Sequence, residues 1–577
     1  MRSNRRRRSR SNKGFITAII IMLLISCVAA YAFYIKTRGN TEKMPLDKYY
    51  EITKYNENAI PLIADVQLYE NTVYDLEGAI YIEQTIASTL IDSKVYWDAA
   101  NKSVILTTPT EIVTVPADKP TIYKNGVASN TDKAMLRLIE GSKYVISLDF
   151  LKDYVNVEYE VYDNPKRVVM KCGFGDKFTK VKVESDDVVR YKADKQSEIL
   201  TEVKENDTLH VLTENVQSYM RYVQVMTSDG IIGYVRNMNV GKVYEEVLSN
   251  DYKGPEYTPL HMKEKVNLGW LQVSNRVANN SLRTLVSKTS GLNVVSPTWF
   301  TLQDTAGGIN SFASKDFVTY AHGKGIKVWA LIDDFSQTVK LVDVISKTDT
   351  RRNLIDNLIA ETKECGADGI NVDFEHITVE SSVHYMQFLR ELRIQTRKNN
   401  LVLSVDSYVP LSYNAHYNID EQGEFVDYVV IMAYDEHHSK SDKSGSVASI
   451  EYTKTAVTKT LEKVPKEKVI IAVPFYTRLW GEVNGVVDSI ETLGMQEALA
   501  RVKAGGGTAT WDDVTKQNYA EYIYQNKTYK VWLEDKKSLA EKLNVIMGSG
   551  VAGVGEWRIG YETTDVWPVI KAALSTN

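Results

Sequence analysis

Short apolar runs alternate with longer amphipathic stretches from about residue 262 to the end of the chain. The amphipathic stretches, such as residues 381–400, carry apolar residues at approximately helical spacing, whereas the apolar runs have the length of buried strands. This alternation is typical of parallel β/α units. Eight runs are predicted to be strands: "VNLGWLQV", "LNVVSPTWF", "KVWALIDDF", "GINVDFE", "LVLSVDSYV", "YVVIMAYDEH", "KVIIAVPFY" and "GVAGVGEW". The pattern predicts an α/β fold, a (β/α)8 barrel over residues 262–577, with a small inserted lobe at 481–534.

Residues 60–174 and 178–246 show a different pattern, in which apolar and polar residues alternate between turn residues. Two segments, Ser93–Thr108 and Val157–Lys171, each read as strand, turn and strand, and each follows a short helical pattern. This internal echo predicts a duplicated α+β module over 60–174. Residues 178–246 predict a second small β-rich domain. Residues 36–59 and 247–261 are polar linkers on this interpretation.

The first 35 residues divide into a basic segment and an apolar segment. Residues 1–14 contain six Arg, one Lys and no acidic residue, and residues 15–35 contain no charged residue. A run of 21 apolar residues is long enough to cross a bilayer, and flanking basic residues stay in the cytoplasm. We therefore predict a basic cytoplasmic tail, a transmembrane signal anchor and an extracellular remainder. Two alternatives stay open, namely a cleaved signal peptide of a secreted protein and lipoprotein processing at Cys27.

Charge and cysteine content exclude several classes of function. The formal net charge is −5, so no overall basic field favours nucleic acid. The three cysteines imply no disulfide framework, and the sequence contains no His/Cys cluster with the spacing of a zinc site. We expect neither a metal nor an organic cofactor.

The fourth predicted barrel strand carries the clearest chemistry. In "DGINVDFEHI" (Asp368–Ile377), the polar residues Asn371, Asp373 and Glu375 occupy every second position. In a barrel strand, alternate residues face the axis, so these three side chains share the inner face near the carboxyl end of the strand. Two carboxylates at this spacing raise each other's proton affinity. One of them can therefore remain protonated near neutral pH and act as a general acid.

"DGINVDFE" resembles the strand-four signature of glycoside hydrolase family 18, the chitinase-like hydrolases. "MAYD" (Met432–Asp435) and Trp557 near the last strand support the resemblance, which covers roughly residues 262–577. "SPTWF", "PFYTRLW" and "GEWRIGYE" are most similar to the cell-wall and spore-cortex branch of that family. Asn371 is a departure, because many chitinases have Asp there.

The resemblance implies a role for each site residue in a retaining mechanism in which the substrate's own acetamido group is the nucleophile. Glu375 would be the acid and then the base, Asp373 would hold the acetamido N–H, and Asn371 would bridge to Asp373. Tyr434 would orient the acetamido carbonyl. Further sugar contacts are expected from five residues: Trp557, Asp435, Tyr476, Arg478 and Trp299.

Two further resemblances concern the smaller domains. Residues 60–174 are similar to the copper amine oxidase N-terminal-like domain, although no metal-binding constellation is visible there. Residues 178–246 resemble the bacterial Src-homology-3-like barrel, which implies contact with cell-wall peptides.

The expected function is hydrolysis of β-N-acetylglucosaminyl linkages in peptidoglycan, outside the cell. A chitinase acting on chitin-type oligosaccharides is one alternative, and a lectin-like protein that binds N-acetyl sugars without cleaving them is another.

Overall fold

The computed structural model describes residues 13–37 and 39–575. These residues belong to two compact units. One unit contains the described residues before Ser93 together with 137–254. The other contains residues 93–136 and the described residues from 255 onward, so the chain enters the second unit, returns to the first and then enters the second again.

The first unit is built from two seven-stranded sheets. In spatial order, the first sheet contains Glu158–Tyr162, Arg167–Lys171, Ala59–Ala64, Gln67–Leu76, Ala79–Glu83, Lys143–Ser147 and Leu136–Ile139. The second contains Ile199–Val203, Asp187–Arg190, Ile232–Arg236, Tyr222–Met226, Thr208–Val211, Lys177–Lys182 and Tyr244–Val247. The α-helices assigned to this unit are Lys13–Thr37, Leu46–Tyr49, Gln84–Ile86 and Leu148–Leu151. Alternate strand residues fill the cores, as the two-residue period of these segments requires.

The second unit contains a closed barrel of eight parallel strands. They are β1 (Val266–Leu271), β2 (Val294–Leu302), β3 (Lys327–Asp333), β4 (Gly369–Asp373), β5 (Val402–Tyr408), β6 (Tyr428–Met432), β7 (Val469–Pro474) and β8 (Gly553–Trp557). Each strand pairs in parallel with the next, and β8 pairs with β1, which closes the ring. The predicted (β/α)8 barrel is confirmed.

Helices separate most of these strands in sequence. Those of the second unit are α1 (Ser281–Val286), α2 (Lys315–His322), α3 (Leu341–Ile345), α4 (Thr348–Cys365), α5 (Ser382–Lys398), α6 (Ile419–Phe425), α7 (Ile450–Leu461), α8 (Met495–Ala504), α9 (Lys536–Gly548) and α10 (Trp567–Ser575). The large core lies between strands and helices, and a smaller one fills the barrel interior, where Trp329 stacks on Tyr428 at 5.3 Å between ring centroids.

Two smaller sheets complete this unit. One is a five-stranded meander of Tyr96–Asp98, Ser103–Thr107, Ile112–Pro116, Thr121–Lys124 and Val127–Asn130. The other is a lobe between β7 and β8, in which α8 packs on the strands Val486–Gly494, Tyr476–Val483, Lys527–Leu533, Gln517–Tyr524 and Thr510–Asp512. A short strand, Ile309–Ser311, pairs antiparallel with the carboxyl end of β2.

The transmembrane part of the predicted fold is wrong. A hydrocarbon core of about 30 Å requires roughly 20 consecutive apolar residues in one helix. Within the described ranges 13–37 and 39–575, no helix combines enough length with enough apolar character to cross a membrane. The predicted basic tail at residues 1–14 falls mostly on residues 1–12, which lie outside the described part of the chain.

Candidate active site

Strand β4 separates its side chains as a barrel strand must. Ile370 and Val372 belong to the helix-facing core, whereas Asn371 and Asp373 are buried on the other face. The Asn371 carbonyl oxygen accepts hydrogen bonds from Trp270 Nε1 (3.0 Å) and Ser296 Oγ (2.9 Å). Its amide nitrogen donates to Ser404 Oγ (3.1 Å) and Asp406 Oδ1 (2.8 Å). Asn371 therefore ties β4 to three other strands, and its amide contacts Asp406 on β5.

Asp373 and Asp406 form a buried acidic pair on neighbouring strands. Burial, and then the negative charge of the other carboxylate, raise the pKa of Asp373 well above its usual range. Burial likewise raises the pKa of Asp406, although the hydrogen bond from Asn371 opposes this. Asp373 Oδ1 and Asp406 Oδ2 have no hydrogen-bond partner among the described residues. Because a buried carboxylate without partners is costly, the pair is suited to hold a proton or to accept a hydrogen bond from a ligand.

Glu375 follows β4 and lies close to the same acidic pair. Burial is the main factor that raises its pKa, and Asp334 and Asp435 raise it further. The Tyr408 hydroxyl donates to Glu375 Oε2 and lowers the pKa, but the balance remains upward. A carboxyl whose pKa is raised in this way is protonated at higher pH than an ordinary Glu, as a general acid requires.

Asp334, at the end of β3, holds the backbone next to Glu375. Its carboxylate accepts hydrogen bonds from the N–H of Glu375 (3.1 Å), the N–H of His376 (2.9 Å) and His376 Nδ1 (3.0 Å). The Asp334 side chain is fully buried. The neighbouring Asp333 is also buried, and its pKa is raised to about 6. Burial is the main cause, and the charges of Asp334 and Glu375 add to it, whereas the hydrogen bond from the Phe335 N–H lowers the pKa.

A second group of predicted residues surrounds Asp435, just after β6. Asp435 Oδ1 accepts hydrogen bonds from the Tyr476 hydroxyl (2.6 Å) and from Arg478 Nη2 (2.7 Å). Tyr434 lies beside Tyr476, with 6.1 Å between ring centroids. Burial raises the pKa of the Tyr434 hydroxyl, and the nearby Tyr476 and Asp373 add to the increase, so this hydroxyl stays protonated as a donor.

Trp557 ends β8 and packs against the interior core of the barrel. Its ring lies 6.0 Å from the Trp270 ring, at an angle of 58°. Because Trp270 donates to Asn371, the indole pair joins the acidic cluster to the β8 side of the barrel mouth.

Trp299 does not join the other predicted residues. Its ring packs against Phe317 of α2, with 5.0 Å between ring centroids, and its indole N–H donates to Asn279 (2.8 Å). Trp299 is fully buried in the core between strands and helices, where it has a structural role.

Sequence reasoning missed Asp334, Asp406 and Tyr408. A usable signal existed for two of them, because Ser404, Asp406 and Tyr408 alternate along β5 with the same two-residue period as the polar residues of β4. The sequence signal for Asp334 is weaker: it is the second residue of an Asp-Asp pair at the carboxyl end of a predicted barrel strand.

The site holds acids, amides and aromatic rings rather than a metal-binding set. Among the described residues, no group of three or more His, Cys, Asp or Glu side chains is arranged to hold a metal ion. The arrangement offers a buried proton donor, an acceptor with an unused oxygen and an aromatic surface, which together suit acid-assisted cleavage of a sugar linkage.

Comparison with protein families gives two matches. Residues 292–562 match the family described as Glycosyl hydrolases family 18, and residues 42–171 match the Copper amine oxidase N-terminal domain. The predicted resemblances to these two families are thereby confirmed, whereas the resemblance of residues 178–246 to the bacterial Src-homology-3-like barrel stays a prediction.

Among curated proteins, the chain is 25% identical over 312 residues to the glycosylase YvbX of Bacillus subtilis (strain 168), covering 50% of this chain and 87% of that protein. It is 23% identical over 230 residues to the cortical fragment-lytic enzyme of the same organism, covering 38% of this chain and 53% of that enzyme. The chain thus spans about half the length of the latter relative.

Comparison with solved structures matches the chain to the spore cortex-lytic enzyme SleL of Bacillus megaterium QM B1551. That match has 17% identity and a TM-score of 0.47, and it covers 57% of this chain and 76% of the other. The chitinase of Chromobacterium violaceum ATCC 12472 has 19% identity and a TM-score of 0.49, with coverage of 54% and 100%.

Proposed function

Starting from a chain that carries a glycosyl hydrolases family 18 domain and is a glycosidase, we propose that it hydrolyses β-N-acetylglucosaminyl linkages of peptidoglycan with retention of configuration. The observation that carries this proposal is the pairing of two acids at the carboxyl end of β4, Asp373 as its last residue and Glu375 just after it. Glu375 has a raised pKa and can hold a proton, while the neighbouring Asp373 has a buried oxygen without a partner among the described residues.

The two acids divide the work of a substrate-assisted mechanism. The Glu375 proton passes to the glycosidic oxygen as the bond to the anomeric carbon breaks. The acetamido carbonyl oxygen of the same sugar attacks that carbon and forms a cyclic oxazolinium. Asp373 accepts the acetamido N–H and stabilises the positive charge. Glu375, now ionised, then takes a proton from the water that opens the ring, which restores the acid and gives net retention.

The remaining groups orient the sugar. In this proposal the protonated Tyr434 hydroxyl donates to the acetamido carbonyl, and the Trp557 ring supplies an apolar face for the sugar. Asp435 is held by Tyr476 and Arg478, so its orientation is fixed before substrate binds. The second oxygen of its carboxylate is the acceptor we assign to a sugar hydroxyl.

The choice of polymer rests on the curated relatives. They include cortical fragment-lytic enzymes of three Bacillus species, whose name describes lysis of cortical fragments. The chitinase alternative is supported by endochitinases among the relatives, and N-acetylglucosamine occurs in both peptidoglycan and chitin. A lectin-like role is disfavoured because the acid Glu375 is present and half-buried close to Asp373.

We also assign the first unit a role in wall contact, outside the cytoplasmic membrane. A cleft of about 840 Å³ in this unit lies between the two sheets, and its lining includes Tyr159 of the first sheet, Phe178 and His210 of the second, and Tyr252. His210 Nδ1 is buried without a partner among the described residues, which leaves it available to a polar ligand. An aromatic and mixed-charge cleft of this size suits a short peptide.

The test is a parallel digestion by the purified protein of peptidoglycan and of chitooligosaccharides, with products identified by mass spectrometry. We expect release of muropeptides with N-acetylglucosamine at the new reducing ends. Cleavage of chitooligosaccharides without any release from peptidoglycan would replace this proposal with the chitinase alternative. Binding to both polymers without cleavage would favour the lectin-like alternative.

A further inference from the structure

A cavity of about 340 Å³ lies beside the acid residue, between the loops that follow β3 and β4. Its lining includes Asp334, Phe335, Lys340, His376 and Thr378. The volume is within the range of small-ligand pockets. Asp334 connects the cavity to the active site, since the same carboxylate that lines it accepts the N–H of Glu375.

The position of the cavity places it on the side of the leaving sugar. Apart from Asp373 on β4, the groups assigned to the acetamido sugar lie at the carboxyl ends of β6 and β8, whereas the cavity lies between the loops that follow β3 and β4. Glu375 stands between them in the strand order. The acid must reach the glycosidic oxygen, so the leaving sugar extends from Glu375 toward the cavity side.

The chemistry of the lining identifies the kind of group that fits. Val339 and Leu341 are buried and give the cavity an apolar part, and Phe335 is 45% exposed beside it. The Asp334 charge is already used by three hydrogen bonds. Lys340 is exposed and has no ion pair among the described residues, so it is the available cation. The cavity thus suits a short aliphatic group that ends in an anion.

We propose that this cavity holds the lactyl-peptide branch of the leaving muramic acid residue, with Lys340 binding a carboxylate of the branch. This inference rests on the proposed function. A 4-linked muramic residue leaves through O4 and carries its lactyl group on the adjacent O3. The branch therefore begins next to the glycosidic oxygen that Glu375 protonates, where a flat wall would exclude it. A chitin unit has only a hydroxyl at O3 and needs no such space.

The test compares two disaccharides, N-acetylglucosaminyl-β-1,4-N-acetylmuramyl dipeptide, whose glutamate carries a free α-carboxylate, and N,N′-diacetylchitobiose, with products separated by chromatography. For Lys340→Met we expect the ratio of kcat/KM for the peptide-bearing substrate to that for chitobiose to fall about three- to tenfold, and for Lys340→Glu we expect a larger fall. Because Lys340 is exposed, neither variant should change the thermal unfolding midpoint appreciably.

Lys363→Met is the matched control. Lys363 is also exposed, with no ion pair among the described residues, and it occupies the last turn of α4. Helices of a β/α barrel run antiparallel to the strands, so this turn lies at the opposite face of the barrel. The control should leave both activities unchanged.

The outcomes separate this inference from the proposed function. If the wild type cleaves the peptide-bearing disaccharide and the ratio is the same in Lys340→Met, Lys340→Glu and the wild type, the cavity assignment is overturned while the proposed function stands. If the wild type cleaves only chitobiose, both fail. If the wild type cleaves both and only the Lys340 variants lose preference for the branched substrate, the assignment is supported.

Discussion

Asp334→Asn should impair the active site without removing any group assigned to the acetamido sugar. Asp334 Oδ1 accepts two of the three hydrogen bonds to Glu375 and His376, and Oδ2 accepts the third. Asparagine keeps only one acceptor oxygen, and its NH2 group then faces an N–H donor. At least one hydrogen bond to a charged acceptor is lost, at a cost of about 1.5–3 kcal/mol. If this cost falls on the position of Glu375, kcat decreases about 10- to 150-fold.

The same substitution should move the pH profile in a defined direction. Burial is the main factor that raises the pKa of Glu375, and the Asp334 charge raises it further. Glu375 must be protonated to act as acid, so its pKa sets the alkaline limb of activity. Removing the Asp334 charge lowers that pKa, and the alkaline limb therefore shifts toward lower pH. The assay is kcat/KM across pH 4–9 on an aryl N-acetylglucosaminide.

Asp427→Asn is a suitable control for a purely structural effect. Asp427 is also a buried carboxylate that accepts backbone N–H groups, from Leu403 (2.8 Å) and Leu260 (2.7 Å). It precedes β6 and so lies at the amino ends of the strands, away from Glu375. We expect it to lower stability while the pH profile stays in place. An unchanged alkaline limb in Asp334→Asn would refute the role assigned to its charge.

Three further predictions concern catalysis and stability. Glu375→Gln should fold normally and lose about 10²- to 10⁴-fold in kcat, and retention of more than half of the wild-type kcat would contradict its assignment as acid. An aryl β-glucoside should not be cleaved at a rate comparable with the N-acetylated substrate, and a thiazoline analogue of the N-acetyl sugar should inhibit, because the acetamido group is the nucleophile. Arg351→Met leaves Glu391 buried without its cation and should cost about 3–5 kcal/mol in chemical denaturation, whereas the exposed neighbour Arg352→Met should cost little.

The barrel and the central acids were predictable because both depend on local periodicity. The length of the apolar runs identifies the strands, and the two-residue period places Asn371 and Asp373 on one face regardless of what surrounds them. The same reasoning applies to Asp406 on β5. Neighbour relations in the ring then bring the two strands together, since β4 pairs with β5 in parallel.

Asp334 and Trp299 depend on features that periodicity does not carry. The contact of Asp334 with the Glu375 N–H is made between loops beyond the paired residues of β3 and β4, and loop paths are not encoded by strand patterns. Trp299 lies in a strand whose register shifts between Thr298 and Phe300, so that Trp299 and Phe300 both face the helices. A single tryptophan near a strand end therefore does not reveal which way it faces.

The two hairpins that look alike in sequence show where patterns stop being informative. Ser93–Thr108 belongs to the unit of the barrel, whereas Val157–Lys171 belongs to the other unit. The difference is made by individual polar groups. Tyr96 of the first hairpin bonds His384 (2.8 Å) and accepts from the fully buried Arg351 (3.3 Å), and Asp98 accepts a hydrogen bond from Thr348. A buried guanidinium requires such partners, so the barrel helices α4 and α5 depend on a hairpin that precedes them by more than two hundred residues.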